Sequence, residues 1–280
     1  MKPPQPSRAH LWLFVPFLLM LSAFCLAPTY WVLVNSFVEE EGGFGFANYE
    51  RILSSRFYLI ALENSFWLSL YSSVLGLLIG FLATSSLRFV QGNVRHFVIS
   101  FVNMSNNFAG VPLAFAFIII LGTNGAITLM LNKLGFLDNF DLYTRAGLTV
   151  VYTYFQIPLA ILLLYPAFDA LKEDWEEAAK LLGASTFTYW RKVVLPIMLP
   201  SLLGSFVLLL ANALGAYATA FALTASNVNL VPIRIGALVA GDISLNPNLA
   251  AALSIVLVAQ LLLVTVINQW LMRRRRYVSA

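Results

Sequence analysis

Long, unbroken apolar runs separated by polar stretches set the pattern of this chain. Six runs reach the roughly 20 residues that a membrane-spanning helix needs, at about 11–35, 64–87, 97–121, 146–168, 201–224 and 249–272. Strands are the weaker reading, because barrel strands alternate apolar and polar positions over about 10 residues. Here ILLLYPAF and LVAQLLLVTVI are continuous. A helix also satisfies its own backbone hydrogen bonds in lipid. The pattern therefore predicts an all-α membrane protein with six transmembrane helices. Residues 1–10 and 273–280 become polar tails, and 11–272 a single six-helix membrane unit with one long internal loop at 169–200.

Composition agrees: 60% of the 280 residues are hydrophobic and 11% are charged, against about 25% charged in a soluble domain. The first run follows Lys2 and Arg8 as a signal peptide would, but it is too long and no A-x-A site ends it, so it reads as a span. Cys25 is the sole cysteine, which leaves no internal disulfide.

The net charge of +4 does not point to nucleic acid once its placement is seen. On one side of the six spans fall Lys2, Arg8, Arg88, Arg95, Lys172, Lys180, Arg191, Lys192 and Arg273 to Arg276. The other side holds Arg51, Arg56, Lys133, Arg145 and Arg234. The basic-rich side marks the cytoplasm, which puts both termini inside. The RRRR run is then an anchor beside anionic headgroups.

Polar residues inside the spans raise the question of a pathway. The third run opens FVNMSNNFAGVP, placing Asn103, Ser105, Asn106 and Asn107 at or near membrane depth. Gln156 in the fourth run, and Asn212 and Tyr217 in the fifth, could share a polar seam with them. Either these residues line a route for solute or they bind helix to helix. Gly76 with Gly80, and Ala211 with Gly215, have the small-residue spacing that lets helices pack closely. No carboxylate or lysine sits firmly inside a span, which weakens an ion-coupled carrier. No G-x-x-x-x-G-K-[ST] loop is present for ATP. His10 and His96 are isolated, which argues against both a metal centre and a membrane enzyme.

The long loop is the least membrane-like part. Leu171, Trp175, Ala178, Ala179 and Leu182 recur at helical spacing and predict an amphipathic helix. Gly183 is placed to end it in a left-handed cap. Ser185 can cap a second short helix through Tyr189, Trp190 and Val193, with Pro196 and Pro200 restricting the chain as it re-enters the membrane. A helix resting on lipid would tend to carry a basic polar face. This one is mainly acidic, so docking to another protein is the stronger reading.

Glu177, Ala178 and Ala179, then Gly183, then Val193, Leu195 and Pro196 resemble the EAA loop of binding-protein-dependent ABC transporter permeases. The family pattern is EAA, three residues, G, nine residues, I-x-LP, and only Val193 departs from it. The resemblance implies the type I importer fold and a coupling loop that docks on a cytoplasmic ATPase subunit. It assigns Glu177 a polar contact to that ATPase, Ala178 and Ala179 the packing face, and Gly183 the elbow. It further implies a second, homologous permease, an external solute-binding protein and a bacterial inner-membrane location. By the same resemblance no cofactor is expected on this chain, and ATP and Mg are used by the partner. FANYERIL and the stretches NALGAYATAFALT and NLVPIRIGALVAGDI look most like spermidine/putrescine-type permeases, a class that shades into relatives for thiamine, iron, sulfate and phosphonates.

Overall fold

The computed structural model describes residues 9–40, 42–135, 140–224, 227–241 and 245–276. The tail residues 1–8 and 277–280, and the side chains of the RRRR run, lie outside that description. The described residues are helical apart from turns and a β-bridge between Val38 and Phe44. Six helical segments among them are long and apolar enough to cross a membrane: Phe14–Asn35, Arg56–Leu87, Val111–Lys133, Arg145–Asp169, Thr186–Leu214 and Pro247–Trp270.

The chain divides into two compact units. One comprises Met1–Leu59 and Arg234–Val258. It contains α1 (Ala9–Leu21), a π turn at Ser22–Leu26, α2 (Ala27–Asn35) and α3 (Ala47–Ser54). None of the first span is buried, so its apolar side chains face outward all round, as lipid contact requires. Asn48 is buried and donates to the carbonyls of Ser36 (3.2 Å) and Val38 (2.8 Å), while the Tyr49 hydroxyl reaches Ser36 Oγ at 2.7 Å. The NY pair of FANYERIL thus ties the loop after α2 to α3.

The other unit, Ile60–Ile233 with Ala259–Ala280, holds the helices that build the functional surfaces. Helix α4 (Arg56–Leu87) buries Ser65, Ser69, Ser72, Ser73, Gly76, Gly80 and Thr84 and turns Trp67, Tyr71, Leu78 and Leu82 outward. Large apolar residues face outward while small ones face protein, the arrangement expected where lipid tails are as apolar as leucine and close packing decides. A Cβ added at Gly76 would lie 2.5 Å from Cβ of Gln156, and one at Gly80 2.5 Å from Cβ of Ala160. The expected close approach at Gly76 and Gly80 is therefore made by α4 and α8 (Arg145–Asp169).

Three boundaries differ from the sequence expectation. The run at 97–121 is not one helix: α5 (Asn93–Asn106) stops, Gly110 takes φ +73°, and α6 (Val111–Leu121) begins with Pro112 in its first turn. A left-handed residue followed by a proline cannot continue a helix. The span is completed instead by α7 (Ala126–Lys133). Conversely, Pro196 does not interrupt the chain. Helix α10 (Thr186–Tyr189) widens into a π turn at Trp190–Val194, in which the Leu195 amide bonds the Trp190 carbonyl, and continues as α11 (Leu195–Leu214). Pro196 falls at the start of that α-helical stretch, and Pro200 lies inside it. Lastly, α11 ends at Gly215, and α12 (Tyr217–Thr224) starts afresh. A Cβ at Gly215 would meet only its own helix's Ala211 carbonyl, so the Ala211/Gly215 pair is a helix end rather than a packing seam. Two further helices, α13 (Val231–Ala240) and α14 (Pro247–Arg276), close the described chain.

Helix α8 is the hub. Tyr152, Phe155, Leu148 and Val151 pack with Leu113, Ala213, Ala220, Leu223 and Ile233 in one apolar cluster. The fully buried Tyr152 directs its hydroxyl to the Ala216 carbonyl at 2.6 Å. A second cluster of Leu164, Phe168, Leu171, Tyr189, Val194 and Met198 roots the loop at 169–200 on the end of α8.

Candidate functional site

Two surfaces gather the residues singled out by sequence. The first is the elbow. Helix α9 (Glu173–Leu181) follows Lys172 and carries a Lys180–Glu176 ion pair at 3.0 Å, one helical turn apart. It ends at Gly183, whose φ is +77°. The Gly183 amide bonds the Lys180 carbonyl (2.9 Å) and the Ala184 amide the Ala179 carbonyl (2.9 Å). These paired bonds make a Schellman cap, which uses the carbonyls a helix end leaves unbonded. Ser185 then accepts from the Thr188 amide at 3.2 Å and starts the next helix. The corner between α9 and α10 is therefore hydrogen-bonded on both sides.

What the elbow presents is apolar. Leu181, Leu182 and Phe187 are 89%, 87% and 72% exposed, and Trp175 is also exposed. Glu177 and Ala178 are exposed beside them. The predicted apolar face is split: Leu171 precedes α9 and is buried, and Ala179 and Val193 pack partly buried against the chain's own second cluster. Of the alanine pair, only Ala178 is left on the outer surface. Leu195 and Pro196 are exposed further along α11.

The second surface is a cavity of ≈ 460 Å³ lined by Asn106, Gly110, Phe155, Asn212, Gly215, Tyr217 and Thr219 with their neighbours. Both helix breaks open onto it, the one at Gly110 and the one at Gly215. Interrupted helices are tolerated at membrane depth where the freed backbone lines a cavity. Thr219 Oγ1 donates to the Gly110 carbonyl at 3.3 Å, which pins the two breaks together. Tyr217 stacks on Phe221 with centroids 5.3 Å apart. Gln156 lies just behind, completely buried. Its amide nitrogen donates to the Leu209 carbonyl (2.6 Å) and Ser73 Oγ (3.2 Å), and its oxygen accepts from Asn212 Nδ2 (3.1 Å).

The six candidate pathway residues thus fall into three groups. Asn106, Asn212 and Tyr217 meet in the cavity. Gln156 is absent from the lining; it supports Asn212 and binds α8 to α4 and α11, which is the helix-to-helix reading. Asn103 and Asn107 do not line it; their amides bond back to the Ile99 (3.0 Å) and Asn103 (2.9 Å) carbonyls of their own segment. Gly110 and Thr219 were not among the candidates, although the φ-permissive glycine before Pro112 is a break signal readable in sequence. The lining holds amides, hydroxyls and an aromatic face, and no ionisable acid or base other than the tyrosine among the described residues.

The chain is similar to known transport proteins. The family described as "Binding-protein-dependent transport system inner membrane component" matches residues 73–277. Similar curated proteins include the probable sulfate transport system permease protein cysT of Chlorella vulgaris, 30% identical over 164 residues, 57% of this chain and 58% of that protein. The spermidine/putrescine transport system permease protein PotB of Haemophilus influenzae is 28% identical over 216 residues, 74% of this chain and 75% of that one. Among solved structures, a chain of a bacterial ABC transporter involved in import of the acidic polysaccharide alginate superposes with a TM-score of 0.75. It is 17% identical, and the match covers 95% of this chain and 96% of that one.

Proposed function

The chain belongs to the family of inner membrane components of binding-protein-dependent transport systems, and we propose that it couples a cytoplasmic ATPase to solute import through the elbow at Gly183. As an ABC-importer permease it works with an external binding protein and separate ATPase subunits, and does not itself hydrolyse ATP. The observation that supports the coupling site is the exposure of Leu181, Leu182 and Phe187 on a corner capped on both sides. Apolar side chains of that size, held rigidly at a polar loop, are what a partner's cleft desolvates. Glu177 and Ala178 flank them, Glu177 as a polar contact and Ala178 as a close-packing one. The basic-rich distribution of lysine and arginine supports the same side as cytoplasmic, with both termini there. The cavity of Asn106, Asn212 and Tyr217 is this subunit's share of the pathway, and a homologous permease supplies the rest. ATP and Mg are bound by the ATPase.

A polyamine is the cargo to test first, on the similarity to the Haemophilus influenzae spermidine/putrescine permease. The Tyr217 ring provides a face for a cationic amine and the two asparagines provide acceptors. The deciding experiment is purification of the protein from its own membranes, with and without Leu182→Ala and Glu177→Ala. An ATPase and a second permease should co-purify, and both substitutions should deplete the ATPase while leaving the second permease. Recovery of the chain alone, under conditions that keep other membrane complexes intact, would refute the assignment. Uptake of labelled spermidine against labelled sulfate then decides the cargo.

A further inference from the structure

At the end of α4 and α8 away from the elbow, a cavity of ≈ 250 Å³ is lined by Asn64, Trp67, Tyr71, Arg145 and Thr149 among others. Next to it lies a cavity of ≈ 340 Å³, lined by Leu75, Phe117, Thr149, Val150, Tyr154 and Ile157 with Thr153. Thr149 belongs to both, so they form one groove that is polar and cationic at its mouth and apolar beyond. The reason for the groove is the packing already described. Gly76 and Gly80 bring α4 hard against Gln156 and Ala160, and the lining residues Leu75 and Ile157 stand next to Gly76 and Gln156 in the chain. From there to Arg145 the groove runs along the exposed side of the α4–α8 contact, between Trp67, Tyr71 and Leu75 and Val150 and Tyr154, with the Phe117–Tyr154 pair (centroids 5.2 Å apart) as a wall.

We propose that this groove binds a membrane phospholipid with an anionic headgroup, its phosphate on Arg145 and one acyl chain along Val150, Tyr154 and Leu75. Three observations select that occupant. Arg145 is exposed at the mouth and is held by donating to Asn64 Oδ1 at 2.7 Å, an engagement that uses one of its five N–H donors. Asn64 is itself buried and fixed by its bond to the Asn229 carbonyl at 3.0 Å. Trp67 and Tyr71 stack beside it at 5.4 Å, the residue types that settle at headgroup level. The length also fits: from Arg145 to Ile157 the helix descends about 18 Å, against about 15 Å for half the hydrocarbon core. A soluble anion would not need the apolar floor, and a neutral lipid would not need the arginine. This inference rests on the membrane-spanning permease reading and on nothing about the ATPase.

The test is native mass spectrometry of the intact transporter, purified in mild detergent and exchanged into bilayer discs containing phosphatidylglycerol or phosphatidylcholine. The wild type should retain phosphatidylglycerol over phosphatidylcholine by about fivefold per chain. Arg145→Gln should abolish that preference and Arg145→Lys should keep most of it. Val150→Trp, which fills the groove without touching the charge, should lower retention of both lipids and covers the case in which Arg145→Gln fails to fold. Equal retention of the two lipids by the wild type, or an unchanged preference in Arg145→Gln, would overturn the proposal. So would efficient cross-linking of Tyr71→Cys to a second permease in native membranes, which would mean that protein covers the groove. Loss of the ATPase from the preparation with the lipid preference intact would count against the coupling assignment and leave this one standing.

Discussion

Substituting Gly76 by alanine adds one methyl group at the tightest point between α4 and α8. Its Cβ would stand 2.5 Å from Cβ of Gln156, where carbon atoms settle about 3.5–4.0 Å apart. Relief needs about 1 Å or more of helix separation, or displacement of Gln156. The second route strains the bonds Gln156 makes to Leu209, Ser73 and Asn212. Overpacking of this kind costs about 1–3 kcal/mol. Alanine recovers about 0.5–1 kcal/mol of helix propensity over glycine, which leaves a net loss of about 0–2.5 kcal/mol, with its middle near about 1 kcal/mol. The same substitution at Gly204 in α11 is the control, since an added Cβ there meets nothing within 4 Å. Thermal denaturation of the two variants in one detergent should show Gly76→Ala clearly below wild type and Gly204→Ala level with it or slightly above. Equal melting temperatures for the two variants would refute the close α4–α8 contact, and with it the reason given for the floor of the lipid groove.

Gly183→Val forces a β-branched residue to φ +77° at a cost of about 1–2 kcal/mol. Because the corner lies at the rim of the second cluster, solute uptake should fall well below the level set by protein abundance, measured in whole cells. Asn212→Leu should reduce uptake strongly, while Asn103→Ala, whose amide serves only its own helix, should leave it within about twofold of wild type. A fluorescent protein that matures only in the cytoplasm, fused after Ala280, should be bright; a dark fusion with normal abundance would reverse the orientation.

The six spans were legible because a hydrocarbon core demands about 20 apolar residues, whatever the packing. Their edges were less so where hydropathy and backbone disagree. The apolar stretch at 97–121 looks continuous by composition, yet the break at Gly110 ends α5, and the span runs from Val111 through α6 and α7 to Lys133. The fifth run differs in the other direction, since its helix is continuous from Thr186, well before the expected start at about 201. A π turn upstream absorbs the missing donor, a device that proline itself does not announce. In the elbow, Gly183 and Ser185 carried their own signals and both caps form as read. The inward turn of Ala179 was not readable, because the cluster it packs against draws its residues from α8, α10 and α11 and forms only in three dimensions. The same holds for Gln156: sequence shows an amide at membrane depth, and only the fold shows which three groups satisfy it.

The two surfaces are mechanically joined by chain geometry. From Thr186 at the elbow to Asn212 at the cavity the backbone is helical throughout, through the π turn and past both prolines. That is about 39 Å of continuous helix. Its elbow end is clamped to α8 by Tyr189, Val194 and Met198 with Leu164 and Phe168, and its cavity end by the Gln156–Asn212 and Gln156–Leu209 bonds. On the proposed coupling, a force on Leu182 would therefore not be dissipated by a loose loop. It would be delivered to a rod whose far end carries the cavity-lining Asn212, against a helix, α8, that lines the same cavity through Phe155. The breaks at Gly110 and Gly215 lie beyond the clamped segments, where the backbone changes direction. On the proposed coupling, displacement of the rod would thus be taken up at the cavity itself, and a capped elbow would serve it better than a flexible one.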